Sequence, residues 1–223
     1  MKLTVDEVES GFQSMSPCGD RIISYRDYKV SAIENLGATR DQFDAIDFTN
    51  NNITIVENFP FLPRLKRLYF SGNPTRKIEE GLESSLPNLE GIIFTNCSFT
   101  ELGDIDPLGK FENLEFISFV DNPISHKQHY RLYVIHRISS LKVLDFNRVK
   151  PKEREEAAKL FSGDAGKTLE AKLSIISKDV KPTRQKLTPQ QWSNLKIQVS
   201  KATSFEEIEQ INNYLNKRVD DYM

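Results

Sequence analysis

Leu114-Glu115-Phe116-Ile117-Ser118-Phe119-Val120-Asp121-Asn122-Pro123-Ile124 carries apolar side chains at its first, fourth, sixth and eleventh positions and an asparagine at its ninth. The same spacing occurs at Phe43, Ile46, Phe48, Asn51 and Ile53, and again at Leu65, Leu68, Phe70 and Asn73, with Thr75 in the last slot. Leu89, Ile92, Phe94, Cys97 and Phe99 make the fourth clean copy. Weaker copies flank these four: Ile23, Tyr25, Tyr28 and Val30 before them, Leu141, Leu144, Phe146 and Val149 after. The ninth positions, 28, 51, 73, 97, 122 and 149, recur at the 20–29-residue period of a leucine-rich repeat.

That period predicts an α/β leucine-rich-repeat solenoid with a parallel sheet on its concave face. The apolar-x-apolar centre of each copy is a short strand with one face inward, and the turn after it needs a polar side chain for its buried backbone groups. Asn51, Asn73 and Asn122 supply an amide there; Cys97 fills the same slot as a small buried residue rather than a reactive thiol. Phe48, Phe70, Phe94, Phe99, Phe119 and Phe146 read as core filling, and prolines such as Pro60, Pro87 and Pro107 fall between strands, where no ladder donor is required. A solenoid needs covered ends. Residues 3–15, with Leu3, Val5, Val8 and Phe12, predict a helical N-terminal cap. Ser125-His126-Lys127-Gln128 reads as a capping box opening a helix through about Ile138, and Pro151 and Gly163 bracket another over 151–161.

The chain has 223 residues, enough for one domain and an appendage. No apolar run is long enough to span a membrane, the N-terminus lacks a signal-peptide pattern, and two cysteines 79 positions apart suggest neither a disulfide framework nor a metal cluster. A reducing intracellular setting is therefore expected. Formal charge is −2, but residues 1–149 hold 16 basic and 21 acidic side chains whereas 150–223 hold 14 and 11. The repeat domain with its caps is expected to occupy 1–161. From Ser162 to Leu187 the composition predicts a basic, flexible linker, with at most a short helix at 168–176. Thr188-Pro189-Gln190-Gln191 and Ser204-Phe205-Glu206-Glu207 then open two helices of a hairpin over 188–223, too small for a core of its own and expected to dock on another protein.

Catalytic chemistry has little support. His126 and His129 have helical metal-ligand spacing but no acidic partner in a known arrangement, and phosphate loops and nucleophile motifs are absent from the sequence. No enzyme activity, cofactor or metal is expected. Binding falls to the concave face. Ser24, Asp47, Tyr69, Ile93, Ser118 and Asp145 form one outward column; Arg26, Thr49, Ser71, Thr95, Val120 and Asn147 a second; Ala45, Arg67, Gly91, Phe116 and Val143 a third. Tyr69, Ile93, Phe116 and Val120 make an apolar patch, with Asp47 and Arg67 beside it, suited to a protein contact. Six strands about 4.8 Å apart span roughly 24 Å, room for a helix about 10–12 Å across.

Residues 28–48, from Tyr28-Lys29-Val30 through Asn35-Leu36-Gly37-Ala38-Thr39 to Asp47-Phe48, closely resemble the A-prime family of U2 small nuclear ribonucleoprotein components. His129-Tyr130-Arg131-Leu132-Tyr133-Val134-Ile135 and Leu144-Asp145-Phe146, followed by Lys150 and Lys152-Glu153-Arg154, resemble it too. The resemblance covers 1–161 and reaches Ala202-Thr203-Ser204 in the tail. It implies a non-enzymatic, nuclear spliceosome component. Its repeats would grip a helix of a B-double-prime protein, an RNA-recognition-motif subunit, and the pair would hold a stem-loop of U2 snRNA. Phosphate contacts are then expected from Arg26, Lys29, Lys150, Lys152 and Arg154. The C-terminal hairpin would meet other spliceosomal proteins. The competing reading is a regulatory repeat subunit of a protein phosphatase.

Overall fold

The computed structural model describes residues 2–177. The chain divides into two units, 1–180 and 181–223. The expected hairpin at 188–223 lies outside the described residues. In chain order the elements are α1 (Val5–Glu9), β1 (Phe12–Met15), β2 (Arg21–Ser24), β3 (Ala45–Asp47), β4 (Ile55–Val56), β5 (Arg67–Tyr69), β6 (Lys77–Ile78), α2 (Leu82–Ser85), β7 (Gly91–Ile93), β8 (Phe116–Ser118), α3 (Tyr130–Arg137), β9 (Val143–Leu144), β10 (Asn147–Arg148), α4 (Pro151–Leu160) and α5 (Gly163–Leu173). The main sheet has eight strands in the order β1-β2-β3-β5-β7-β8-β9-β10, and β4 pairs with β6 in a second, two-stranded sheet. From β2 to β9 all pairings in the main sheet are parallel, while β1 and β10 close its ends as antiparallel hairpin partners.

Register follows the repeat. Ile23, Ile46, Leu68, Ile92, Ile117 and Leu144 lie side by side across the strands and all are buried. Beneath them, Tyr25, Phe48, Phe70, Phe94 and Phe119 stack at 5.4–5.5 Å between successive centroids, at interplanar angles of 15–27°. Offset stacking of this kind adds to the area each ring buries. The asparagines satisfy the turns as expected. Asn73 Nδ2 donates to the carbonyls of Phe48 and Phe70 at 2.8 and 2.9 Å while its Oδ1 accepts the Ile53 amide at 3.0 Å. Asn51 and Asn122 repeat the arrangement one and two copies away. Cys97 donates its thiol to the Phe70 carbonyl at 3.2 Å, and burial pushes that thiol up to about 11.

Both caps differ from the sequence expectation. The N-terminal helix covers only Val5–Glu9, opened by a Thr4–Glu7 capping box, and the chain then turns at Gly11 into β1. Phe12, expected in the cap's apolar face, is 69% exposed, and Val5 is also exposed. At the other end Ser125 opens no helix. Pro123–His126 is a 3-10 turn, Lys127 is extended, and His129 has φ +63 immediately before α3. His126 and His129 therefore do not share a helix, and no group of metal-binding side chains occurs among the described residues. α4 begins at Pro151 as expected.

Two further expectations are corrected. Phe146 is no core residue: it is 63% exposed, because β9 reverses through Asp145 and Phe146 into β10 instead of continuing into a buried turn. Asn147 consequently pairs back onto Leu144 and leaves the second concave column. The linker expected from Ser162 begins as the eleven-residue helix α5, whose Leu169 and Leu173 pack against the core. Beyond it, Ile175 accepts the Gly103 amide at 3.1 Å and the Ser177 amide donates to Asp104 Oδ1 at 2.8 Å. Gly103 is needed there, since a Cβ would sit 2.6 Å from the Ile175 carbonyl oxygen. Residues 163–177 thus form a strap over the repeats rather than a free linker. The short helix expected at 168–176 runs instead from Gly163 to Leu173, its first turn hidden in the sequence by Gly163 and Gly166.

Candidate functional site

Strand pairing builds the concave face column by column. Ser24, Asp47, Tyr69, Ile93 and Ser118 are consecutive cross-strand neighbours, and so are Ile22, Ala45, Arg67, Gly91, Phe116 and Val143. The first column lies at the strand ends, where polar side chains cap the amide two residues on. Ser24 Oγ accepts from Arg26, Asp47 Oδ1 from Thr49 at 2.8 Å, and Ser118 Oγ from Val120 at 3.4 Å. Tyr69 and Ile93 interrupt that series with side chains that do not cap, at the middle of the face.

Tyr69 and Ile93 are cross-strand neighbours in the first column, Phe116 stands in the other column opposite Gly91, and Val120 follows β8; all four are half-buried, with Val143 beyond Phe116. Ser118, placed in the outward column, is fully buried and so offers no surface to a partner. Arg67 is held between two carboxylates, donating from Nη1 to Asp20 Oδ2, with its Nη2 lying 3.8 Å from Glu90 Oε2. Asp47 is 3.9 Å from Arg26 Nε. Burial raises the Tyr69 phenol above its usual range; Arg67 opposes the shift, and Asp20 and Asp47 add to it. Tyr69 therefore presents a neutral hydroxyl at physiological pH.

Sequence reading missed three features of this face. Gly91 sits between Arg67 and Phe116, so the column has a dent at its centre; an added Cβ would meet Phe116 at an ordinary 3.6 Å. Phe12 pairs with Ser24 and so stands on the concave side at the N-terminal end. Phe146 lies at the other end, its ring edge-on to Phe116 at 5.6 Å and 65°. The missing ninth-position Asn in the last copy was the available sign that its turn differs.

The expected basic residues fall into two groups. Arg26 and Lys29 follow β2, at the C-terminal ends of the parallel strands. β10 runs back against β9, and the Val149 amide donates to the Lys142 carbonyl at 2.8 Å, so Lys150, Lys152 and Arg154 begin at the N-terminal ends of those strands. The two groups occupy diagonally opposite corners of the sheet and form no single patch. Arg154 is committed to the Leu141 carbonyl, while Lys150 and Lys152 are exposed, Lys152 lying 4.0 Å from Glu156.

A leucine-rich-repeat family model matches residues 1–174, a span that includes α5. The human U2 small nuclear ribonucleoprotein A-prime is 46% identical over 182 residues, 82% of this chain and 71% of that protein. The probable Drosophila melanogaster counterpart is 42% identical over 178 residues, 80% of this chain and 67% of its own. The chain belongs to the U2 small nuclear ribonucleoprotein A-prime family. The crystal structure of the Drosophila SNF/U2A′ complex contains a chain that superposes with a TM-score of 0.74 at 41% identity, over 77% of this chain and 99% of that one. The A-prime fold thus extends through the caps as well as the repeats.

Proposed function

We propose that this A-prime chain is a non-enzymatic subunit of the U2 snRNP in pre-mRNA splicing, acting in the nucleus. Its concave face holds an RNA-recognition-motif subunit of the B-double-prime type, and the two together hold a U2 snRNA stem-loop. The observation that carries the protein contact is the set of half-buried Tyr69, Ile93, Phe116 and Val120 on and just after β5, β7 and β8, which the chain's own caps leave open. The solved Drosophila relative, itself a complex with SNF, supports the same assignment. Asp47 and Arg67 flank the patch already paired within the chain, with Arg26 and with Asp20 and Glu90, and so give it a polar rim that orients a partner more than it adds affinity.

RNA is held chiefly by the partner, whose sheet stacks and reads loop bases. The A-prime chain adds positive charge at one corner, from Lys150 and Lys152, or at the other, from Arg26 and Lys29; a compact stem-loop meets one corner. By fixing the partner's RNA-binding arrangement the repeat domain couples the two binding events. The test is co-purification of Tyr69→Asp/Phe116→Asp with the RNA-recognition-motif subunit. Loss of the partner, with circular dichroism unchanged, is expected; undiminished capture would overturn the concave-face assignment.

A further inference from the structure

The connection between β9 and β10 consists of two residues, and both are left-handed: Asp145 has φ +51 and Phe146 φ +60. Two-residue hairpins of this geometry favour Asn, Asp or Gly, because a Cβ at positive φ crowds the backbone. Asp145 suits the first position. A phenylalanine in the second is the wrong residue for the turn, and bulky residues hold such conformations only where their surroundings over-determine them.

The surroundings do so here through Asp145. Its Oδ1 accepts the Phe119 amide at 2.7 Å, and its Oδ2 accepts the Tyr130 hydroxyl at 2.8 Å. One carboxylate therefore ties the turn to the neighbouring repeat and to the start of the cap helix. Held in this way, the Phe146 ring is delivered to the concave side, where it meets Phe116 edge-on yet remains 63% exposed. A ring serving only to cover Phe116 would be buried by the contact. This one is preorganised by a strained turn and left open, next to the patch assigned above to the RNA-recognition-motif subunit.

We infer that Phe146 is an aromatic anchor for that subunit, presented by Asp145 before the partner arrives and closing the C-terminal end of the concave face. The inference rests on the concave-face reading and adds to it a residue outside the repeat pattern. Its counterpart on the partner is an apolar side chain at the end of the docked helix, seated in the angle between the Phe116 and Phe146 rings. Rigid aromatic anchors carry a disproportionate share of interface energy because little freedom is lost on binding.

The experiment measures affinity of the purified RNA-recognition-motif domain of the B-double-prime-type subunit for the full chain and three variants, alongside their thermal midpoints. Phe146→Gly and Phe146→Asn relieve the left-handed strain, so their midpoints should not fall, while affinity drops at least tenfold. Phe146→Tyr should keep affinity within about threefold of the parent. Parent-like affinity in Phe146→Gly and Phe146→Asn overturns the inference. If Tyr69→Asp/Phe116→Asp loses the partner in the same assay, the concave-face reading survives that failure; if it does not, both fall. Equal loss in Phe146→Tyr and Phe146→Gly also counts against an aromatic anchor.

Discussion

The Arg131 guanidinium crosses from α3 to Glu153 on α4, with Nε 2.6 Å from Oε1 and Nη2 3.2 Å from Oε2. The same guanidinium donates to the carbonyls of Leu144 and Arg148, so one side chain joins the cap helix, the last hairpin and the terminal helix. This hydrogen bond from Arg131 holds the Glu153 carboxyl below its usual range; burial opposes the shift, and the Lys150 amide reinforces it.

A lowered carboxyl pKa stabilises the fold above the unfolded value, near 4.3, and that contribution disappears as pH falls through the folded value. Asp44 behaves alike: burial raises its pKa, but the Arg21 amide and the Arg64 guanidinium outweigh burial. The thermal midpoint should fall between about pH 5 and about pH 3. Glu153→Gln should shrink the fall without removing it, because Asp44 still titrates. A midpoint–pH curve identical to the parent's would rule out the Glu153 contribution.

Gly91 offers a way to separate binding from folding. Its φ is not in the left-handed region, and a Cβ there makes ordinary contact with Phe116. Alanine adds only that Cβ, so Gly91→Ala should leave the thermal midpoint unchanged or raise it. Narrowing the dent should nevertheless weaken partner binding. Calorimetric titration with the RNA-recognition-motif subunit checks this; unaltered affinity would show that no partner side chain enters the dent.

The two basic corners predict different salt behaviour. Each phosphate contact contributes about 0.7–0.9 to the slope of log affinity against log salt. Lys150→Ala with Lys152→Ala should flatten that slope by roughly 1.4–1.8 for the ternary complex if RNA meets the α4 corner. Arg26→Ala with Lys29→Ala gives the equivalent loss at the other corner. Arg154 belongs in neither test, since removing it unpairs the Leu141 carbonyl and perturbs the cap.

Asn73→Ala should destabilise the repeats far more than a surface change. The Ile53 amide loses its partner in a buried turn, while the Phe48 and Phe70 carbonyls each lose one of two donors and keep Asn51 Nδ2 and the Cys97 thiol respectively. A cost of about 1–3 kcal/mol is expected from urea unfolding. A loss under about 0.5 kcal/mol would mean that water replaces the amide.

The repeat was legible because each side chain in it answers a local demand: Ile46 and Phe48 alternate with the strand, and Asn51 satisfies the turn that follows. The concave columns followed from that register, which is why Tyr69 and Ile93 are cross-strand neighbours and Phe116 stands opposite Gly91. The ends were harder. Phe12 and Phe146 occupy slots where apolarity normally means core, and only tertiary pairing, Phe12 with Ser24 and β10 with β9, turns them outward. α5 was legible only as a short helix at 168–176, because Leu169 and Leu173 are its only large apolar side chains and Gly163 and Gly166 disguise its start. Gly91 was visible as a letter, but a missing side chain shows its meaning only once its neighbours are placed.

The strap over the repeats also bears on the order in which the protein is made. Residues 163–177 are the last of the described residues to leave the ribosome, and until they do, Asp104, which is only 3% exposed in the finished fold, lacks its bonds from Ser177 and Gly103 lacks its acceptor. The nascent solenoid therefore holds a solvated flank of the Leu102–Lys110 turn until Ser177 has cleared the exit tunnel. A chain stopped at Phe161 contains every repeat and both end caps, yet it should fold to a form that exchanges its 102–110 amides more rapidly than the full-length protein does.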